Sequence, residues 1–543
     1  MRKPVLVLLT LCLAAGSALG LAACGDSDSS SKEGGTLTGS YAAFADYLDP
    51  QLSYTQEGWS AMYDTYLPLL TYKRANGEEG SEVVPALAED MPKISSDGKT
   101  YELTLRKGLK YSDGKPVKAS DFKSSMERMF KVNSPGFYYY ESIVGAEEFA
   151  ETKTGGIPGI KTDDKTGKIT IELTAPRGSF TNELGLLFAA VLPPDTPARN
   201  VTSDPPPATG PYVIVETEPG RGWSYERNPY WEKANSQIET VEDGNFDKIE
   251  IKVVRNEATQ VNEIERDETM WMQTPPPADQ RQRIIDKFEG TQFRIEYPIN
   301  SYAFWMNTDR APFDDVKVRQ AVNYAVDSAA LERIYAGSLG ALHQILPEGM
   351  PGHERLDLYP HDMAKAKELF KEANPSDTDI TVWTNDESPN DDAGAYYQDV
   401  LTQLGFDAKL KTINADNYYT ILGNETTPDL DTGWLAWVVD YPSPNNYFQP
   451  LLSGEAIAPT NNTNFSRIDV PELNEKITKL SEEPIGSEQA SEYGELDREF
   501  MELAPWAPYG TNTLSTFVDS EIDLDKVVYN PTFGHSLASF ELK

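Results

Sequence analysis

Cysteine is almost absent from this 543-residue chain: Cys12 and Cys24 are the only two, both in the first 24 positions. Everything beyond Cys24 must hold together without a disulfide, by core packing, for which the length is ample. Histidine is nearly as scarce, at positions 343, 353, 361 and 535. With no thiol nearby and no second histidine after His353-Glu354, that pattern argues against a zinc site. Gly-x-Ser-x-Gly, a Gly-rich phosphate loop ending in Gly-Lys-Ser/Thr and His-Glu-x-x-His are all missing, so the common hydrolase and nucleotide-dependent chemistries find no foothold. Asp429-Leu430-Asp431 resembles a scrap of a calcium loop but reads more simply as an acidic turn. Basic residues are outnumbered 48 to 86, for a formal net charge of −38. No Lys/Arg stripe offsets that surface, which repels nucleic acid and anionic lipid. Exposed charges are screened beyond about 10 Å, so the acidity reads chiefly as solubility, with a mild pull on cations. No apolar run after Cys24 approaches the roughly 20 residues that cross a bilayer.

What is present begins at the N-terminus. Arg2 and Lys3 precede an apolar run from near Val5, which closes on Leu21-Ala22-Ala23-Cys24. A basic start, a short apolar core and small residues before a cut are the marks of an export signal. Leu-Ala-Ala-Cys resembles the lipobox of bacterial lipoproteins, which implies cleavage after Ala23, lipidation of Cys24 and tethering to the outer face of the cytoplasmic membrane. The Ser-, Asp- and Gly-rich stretch that follows suits a flexible tether at 24–34.

Beyond it the periodicity is mixed. Tyr101, Leu103 and Leu105 alternate with polar residues, as do Ile169, Ile171 and Leu173, and Ile249, Ile251 and Val253, the period of half-buried strands. Phe122, Met126, Met129 and Phe130 repeat at helical spacing after Ser120-Asp121; Val318, Val322, Ala325 and Val326 do so after Asp314-Asp315, with Gly337 as a stop. Met363, Ala366, Leu369, Phe370 and Ala373 form a third helical face ended by Pro375. The class is α/β without internal repeats. Boundaries are expected at Pro205-Pro206-Pro207, at Asn300 to Asn307 and at Pro505-Trp506-Ala507-Pro508.

An ordered series of segments then carries a resemblance. It runs from Gly35-Thr36-Leu37 and Leu48-Asp49-Pro50 through Pro85-Ala86-Leu87-Ala88-Glu89, Asp97-Gly98-Lys99-Thr100-Tyr101 and Ser112-Asp113-Gly114. It continues with Thr209-Gly210-Pro211-Tyr212, Arg227-Asn228-Pro229-Tyr230-Trp231, Pro312-Phe313-Asp314-Asp315 and Val318-Arg319-Gln320-Ala321. In this order the segments resemble the extracellular solute-binding proteins of family 5, the oligopeptide, dipeptide and nickel receptors of ABC importers. Ala208 stands where that family usually has glycine, and Asp267-Glu268-Thr269-Met270-Trp271 replaces a common Gly-Glu-x-Asp.

The resemblance implies a two-lobed periplasmic-binding-protein-like fold of type II with an extra subdomain in lobe I. Lobe I would comprise 35–71, 202–301 and 505–543, the inserted subdomain 72–201 and lobe II 302–504, with 1–23 as the signal. Crossings near Ser301 and Ala504 would serve as the hinge. It also implies a monomeric, non-catalytic receptor without a cofactor, whose partners are a short peptide and the permease subunits of an ABC importer. Other cargo stays open: a nickel chelate, an oligosaccharide or another cationic metabolite, as does a surface sensing role on the same fold.

Read by itself, Asp440 is better explained as a capping or turn aspartate before Pro442; but Trp434-Leu435-Ala436-Trp437-Val438-Val439-Asp440 resembles the family segment in which an aspartate binds a peptide's α-ammonium, and that resemblance makes Asp440 the leading ligand contact. Trp437 and Trp434 are candidate walls of the cleft, since flat aromatic faces accept varied side chains. Tyr41, Tyr54 and Trp59 follow the first strand, where an α/β fold places binding loops. Asn461, beside Asn462, either walls the cleft or makes a turn, and Phe137-Tyr138-Tyr139-Tyr140 reads as a cover for the inserted subdomain. A ligand bound extended would pair its main chain with the protein's, as an added strand does.

Overall fold

A Cβ on Gly39 would lie 2.8 Å from both Ile251 Cδ1 and Trp271 Cε3. Glycine at that point lets strand Thr36–Tyr41 sit between two parallel neighbours, Lys248–Val253 on one side and Trp271–Met272 on the other. In the computed structural model, which describes residues 34–543, this strand is the centre of a seven-stranded mixed sheet. Leu514–Val518 and Phe293–Glu296 extend it antiparallel on one flank, and Gly222–Arg227 and Tyr212–Glu218 on the other. Helices Glu257–Ile264 and Ala278–Phe288 supply a small core with Met272, Phe293 and Phe517. The signal, the lipobox cysteine and nearly all of the expected tether lie outside the described residues.

Between the first and second strands of that sheet comes a second layer of structure. Strands Lys93–Ile94, Thr100–Thr104, Lys168–Glu172 and Ile160–Asp163 form an antiparallel sheet. The alternation expected at Tyr101 and Leu103, and at Ile169 and Ile171, appears as buried side chains on one face. Helix Ala119–Lys131 starts one residue before Ser120, and Asp121 serves from inside its first turn by accepting the Lys118 N–H at 2.9 Å.

The other lobe is built on a six-stranded sheet in the order Leu339–Ala341, Trp506–Asn512, Asn300–Met306, Thr432–Val438, Asp379–Asn385, Asp407–Ile413. Asp315 caps helix Val316–Ala325 by accepting from Lys317 N at 2.8 Å. The helix does not continue to Gly337: it stops at Val326, and Asp327 caps a second helix, Ser328–Ile334, which Gly337 follows in the left-handed region at φ +76°. Helix Met363–Ala373 ends on Asn374, also left-handed, before Pro375.

The sheet corrects one expected boundary. Trp506–Asn512 belongs to the second sheet, beside Asn300–Met306, and only Thr513 separates it from Leu514–Val518 in the first. The crossing therefore falls at Thr513 rather than near Ala504, because the strand runs on past Pro505. Pro508 is tolerated inside it where the pairing shifts register. The other crossing is Tyr297–Ile299, and Ser301 already lies within the second sheet. Among the described residues no helix is long and apolar enough to cross a membrane.

Helix Ala119–Lys131 is tied to the segment that follows the first strand by a buried ion pair. Arg128, 5% exposed, donates to Asp49 Oδ2 at 2.7 Å and to Gln51 Oε1 at 2.6 Å, and the Asp49 side chain is wholly buried. Removing one member strands the other charge in a low-dielectric site. Asp49→Ala is expected to lower unfolding stability in urea by about 3–5 kcal/mol. A loss below about 1 kcal/mol, the range of exposed pairs, would show that water reaches Arg128.

Candidate functional site

Strand Thr432–Val438 is paired unequally. Asn300–Met306 covers one edge along its whole length, whereas Asp379–Asn385 pairs only with Thr432 and Gly433 on the other. On the open edge the Trp434 and Ala436 carbonyls accept from the Tyr418 hydroxyl at 2.8 Å and the Tyr419 hydroxyl at 3.0 Å. In an antiparallel pair this orientation recurs every second residue, so Val438 turns its main chain the same way. Val438 is 59% exposed, the end of a half-open strand edge.

Two residues beyond it stands Asp440. The Asn446 amide holds it from its own lobe: Asn446 Nδ2 donates to Asp440 Oδ2 at 3.0 Å and Asn446 Oδ1 accepts the Asp440 N–H at 3.0 Å. From the first lobe the Tyr54 hydroxyl donates to Asp440 Oδ1 at 2.5 Å. Tyr54 Oη also lies 2.7 Å from the Tyr138 hydroxyl and 3.1 Å from that of Tyr139, and those two phenols bond each other. Tyr54 is fixed by its N–H on Asp46 Oδ2 at 2.7 Å and by its ring against Trp59 and Phe188. The carboxyl of Asp440 is pushed above its ordinary range, chiefly by burial, with the bonds from Tyr54, Asn446 and Tyr139 acting in the opposite sense. No Lys, Arg or His among the described residues pairs with it. Burial and the Asp440 charge raise the Tyr54 phenol, which keeps its proton and acts as the donor.

A cavity of about 490 Å³ opens on this cluster, walled by Tyr138, Tyr139, Trp437 and Asp440, with Arg177 and Gln449 among its polar lining. Behind it the two lobes interlock. Tyr441 follows Asp440 in the second lobe yet is buried in the first lobe's hydrophobic cluster, its ring edge-on to Tyr139 at 5.8 Å. Burial raises its phenol, Glu183 raises it further and Arg177 opposes both. Arg177 and Glu183 are themselves paired at 2.7 Å. At the rim, Gly178 N donates to Ser481 O at 2.7 Å, and Ser81 Oγ to Gly349 O at 3.3 Å.

The residues singled out in the sequence divide accordingly. Asp440 and Trp437 line the cavity, and Tyr54 reaches it only through its bond to Asp440; Trp437 is half-buried, with Nε1 donating to Asn446 Oδ1 at 3.3 Å. Asn461 is exposed in the left-handed region at φ +55° and lines a second cavity on Trp437. Three residues are corrected to packing roles. Tyr41 is fully buried, edge-on to Trp223 and Trp271, because its strand has parallel partners on both sides. Trp434 is 4% exposed and donates to the Tyr509 hydroxyl at 3.0 Å. Trp59 is 5% exposed, donates to Ser53 O at 2.9 Å and supports Tyr54 from behind. Tyr138 and Tyr139, read as a cover, reach the carboxylate cluster instead; four aromatics in a row were the available signal. Asn446 and Tyr441 were missed. Asp431 accepts from Arg310 at 3.0 Å and Thr381 N at 2.8 Å, the role of a structural acid.

The sequence profile of the bacterial extracellular solute-binding proteins, family 5, matches residues 82–459. The chain belongs to this family. Among its relatives, heme-binding protein A of Haemophilus influenzae is 26% identical over 474 residues, 82% of this chain and 81% of the relative. The dipeptide-binding protein of Escherichia coli is 28% identical over 403 residues, 69% of this chain and 71% of the relative. Among solved structures, clavulanic acid biosynthesis oligopeptide binding protein 2 superposes with a TM-score of 0.84 at 24% identity, covering 94% of this chain and 96% of the other. The murein tripeptide binding protein MppA in an unliganded open form gives 0.78 at 20% identity, covering 94% and 98%. These likenesses establish the two-lobed α/β architecture.

The contact at Gly178 makes the arrangement of the family 5 lobes testable. A Cβ there would sit 1.8 Å from Glu483 O, a backbone atom with no room to yield. Gly178→Val is expected to part the segment around Gly178 from the second lobe, raising the radius of gyration in small-angle scattering. An unchanged curve with an intact fold would mean that local adjustment absorbs the side chain.

Proposed function

We propose that this chain is a lipid-anchored receptor that captures a short peptide between its lobes and delivers it to an ABC importer. Cys24 would carry the lipid and hold the receptor at the outer face of the cytoplasmic membrane. The observation that carries the reading is the Asp440 carboxyl: shielded, met only by neutral donors, and placed just past the end of a half-open strand edge. An α-ammonium is the group that best completes it, because a charge-assisted bond is strongest where water is excluded. The open edge at Val438 suits the main chain of an extended ligand starting there, which adds a partial strand and makes affinity depend little on side chains. Trp437, Tyr138 and Tyr139 would wall the first residues of the ligand. Relatives named for dipeptides and solved structures named for oligopeptides and a murein tripeptide support this cargo class.

The chemistry predicts a pH dependence. The ligand's ammonium pairs with the carboxylate form, so peptide affinity is expected to fall as pH drops through the raised pKa of Asp440. Calorimetric titration of a tripeptide between pH 7 and pH 4 would register it. Asp440→Asn should flatten that profile and weaken binding by about 1.5–3 kcal/mol, the worth of a bond to a charged group. It should also abolish the preference for a free over an N-acetylated terminus. Retention of that preference in Asp440→Asn would remove the assignment of the ammonium to this residue.

A further inference from the structure

The two crossings between the sheets run side by side. Glu296 pairs with Leu514 in the first lobe's sheet, and Asn300 is bound to Asn512 in the second: its Nδ2 donates to Asn512 O at 3.0 Å and its Oδ1 accepts the Asn512 N–H at 2.7 Å. Thr513 stands between these two fixed points. Its main chain goes with the second lobe, since its N–H donates to Ser338 O at 2.7 Å and its hydroxyl donates to the same carbonyl at 3.0 Å. From the first lobe, Arg281 on helix Ala278–Phe288 donates from Nη2 to Thr513 Oγ1 at 2.7 Å.

Arg281 is bound as few buried cations are. It is 4% exposed, and no carboxylate acts on it, in a chain with 86 acidic residues. Arg319, 5% exposed, is satisfied by the carbonyls of Leu503, Phe313 and Asp314. Arg281 has the Thr513 hydroxyl alone among the described residues, and its Nε has no acceptor. Burial pushes its guanidinium below the ordinary range, and the phenol of Tyr297, on the other crossing, acts in the opposite sense. A charge so placed makes its single bond strong, because losing it leaves the cation desolvated with nothing in exchange.

We propose that Arg281 ties the two lobes at their pivot, holding the hinge at its interlocked angle through the Thr513 hydroxyl and so setting how long a captured ligand is kept. The inference rests on the capture reading above only for the ligand; the tie itself is a property of the hinge. Turning one lobe against the other must turn the chain at Thr513, whose main chain follows Ser338 while Arg281 stays with the first lobe. The bond between them then bends or stretches, and hydrogen bonds weaken steeply once their angle falls below about 120°. A bond made in the interlocked arrangement and lost in the open one favours the first and slows release.

Thr513→Val keeps the shape of the side chain and removes the acceptor, whereas Thr513→Ser keeps the hydroxyl. Each protein would be measured by small-angle scattering without ligand and by stopped-flow release of Ala-Ala-Ala, followed by tryptophan fluorescence. Thr513→Val is expected to enlarge the ligand-free radius of gyration and to speed tripeptide release about tenfold or more, the worth of a bond to a charged group, with the change carried by the dissociation rate. Thr513→Ser should behave as the parent does. Arg281→Met should match Thr513→Val, and the double variant should release no faster than either, since both changes remove the same bond. The comparison of Val with Ser at 513 decides the matter even if Arg281→Met fails to fold. A scattering curve of Thr513→Val identical to the parent's, an equal effect in Thr513→Ser, or effects at 281 and 513 that add would overturn the tie. A parent protein that binds no tripeptide would remove the peptide reading, and ligand-free scattering would still decide the hinge.

Discussion

The carboxyl of Asp440 is shared between two lobes, and the arrangement around it follows from how it is satisfied. One oxygen takes a proton donor from the second lobe, Asn446, and the other takes Tyr54 from the first. Both donors are neutral. A buried carboxylate met by Lys or Arg would be a finished ion pair, costly to break and closed to a competing cation. Met by an amide and a phenol, the same carboxylate is hydrogen-bonded but not neutralised, and burial holds its pKa above the ordinary range. Its chemistry is that of an acceptor still able to gain from a positive charge.

The surfaces flanking it explain how so shielded a site persists at a junction of lobes. Tyr441, adjacent in sequence, is buried in the other lobe's core beside Tyr139 and the Arg177–Glu183 pair. On the rim the contact is backbone to backbone at Gly178, close enough that only glycine fits. The carboxylate is thus set between a hydrophobic peg and a glycine seam. Separation of the lobes would expose Tyr441 to water and cost roughly what leaving a large apolar side chain exposed costs, some 1.5–3 kcal/mol. That is small enough for a ligand's differential affinity to shift the balance.

Much of the fold was legible because its signals are local. Alternation at Tyr101 and Leu103, or at Ile249 and Ile251, reports burial on one face, and Asp315 ahead of Val316–Ala325 reports a cap. The boundary at Thr513 was not legible, since one extended run serves two sheets with no turn residue at the crossing. Tyr41 was misread for a related reason: it was placed after the first strand, in a binding loop, whereas it is the last residue of that strand, buried between parallel partners on both sides. The family resemblance singled out Asp440, but nothing in the sequence joined it to Tyr54, 386 positions away. No periodicity records a contact across that separation, and Tyr138 and Tyr139 announced only that aromatics were concentrated, not where they would point.

The acidity of the chain takes on a specific meaning beside this geometry. A net charge of −38 is spread over an exposed surface, where salt screens it within about 10 Å. Such a field draws cations in general and discriminates among them hardly at all. Asp440 differs from the surface acids in being half-buried beside phenols and an indole, and from the buried acids Asp49 and Glu183 in having no Arg paired with it. A half-buried acid weighs more in electrostatic selectivity than an exposed one, since that selectivity scales with desolvation rather than with the number of charges. On the proposed reading, recognition would divide between a carboxyl that favours an ammonium and a strand edge that asks only for a main chain.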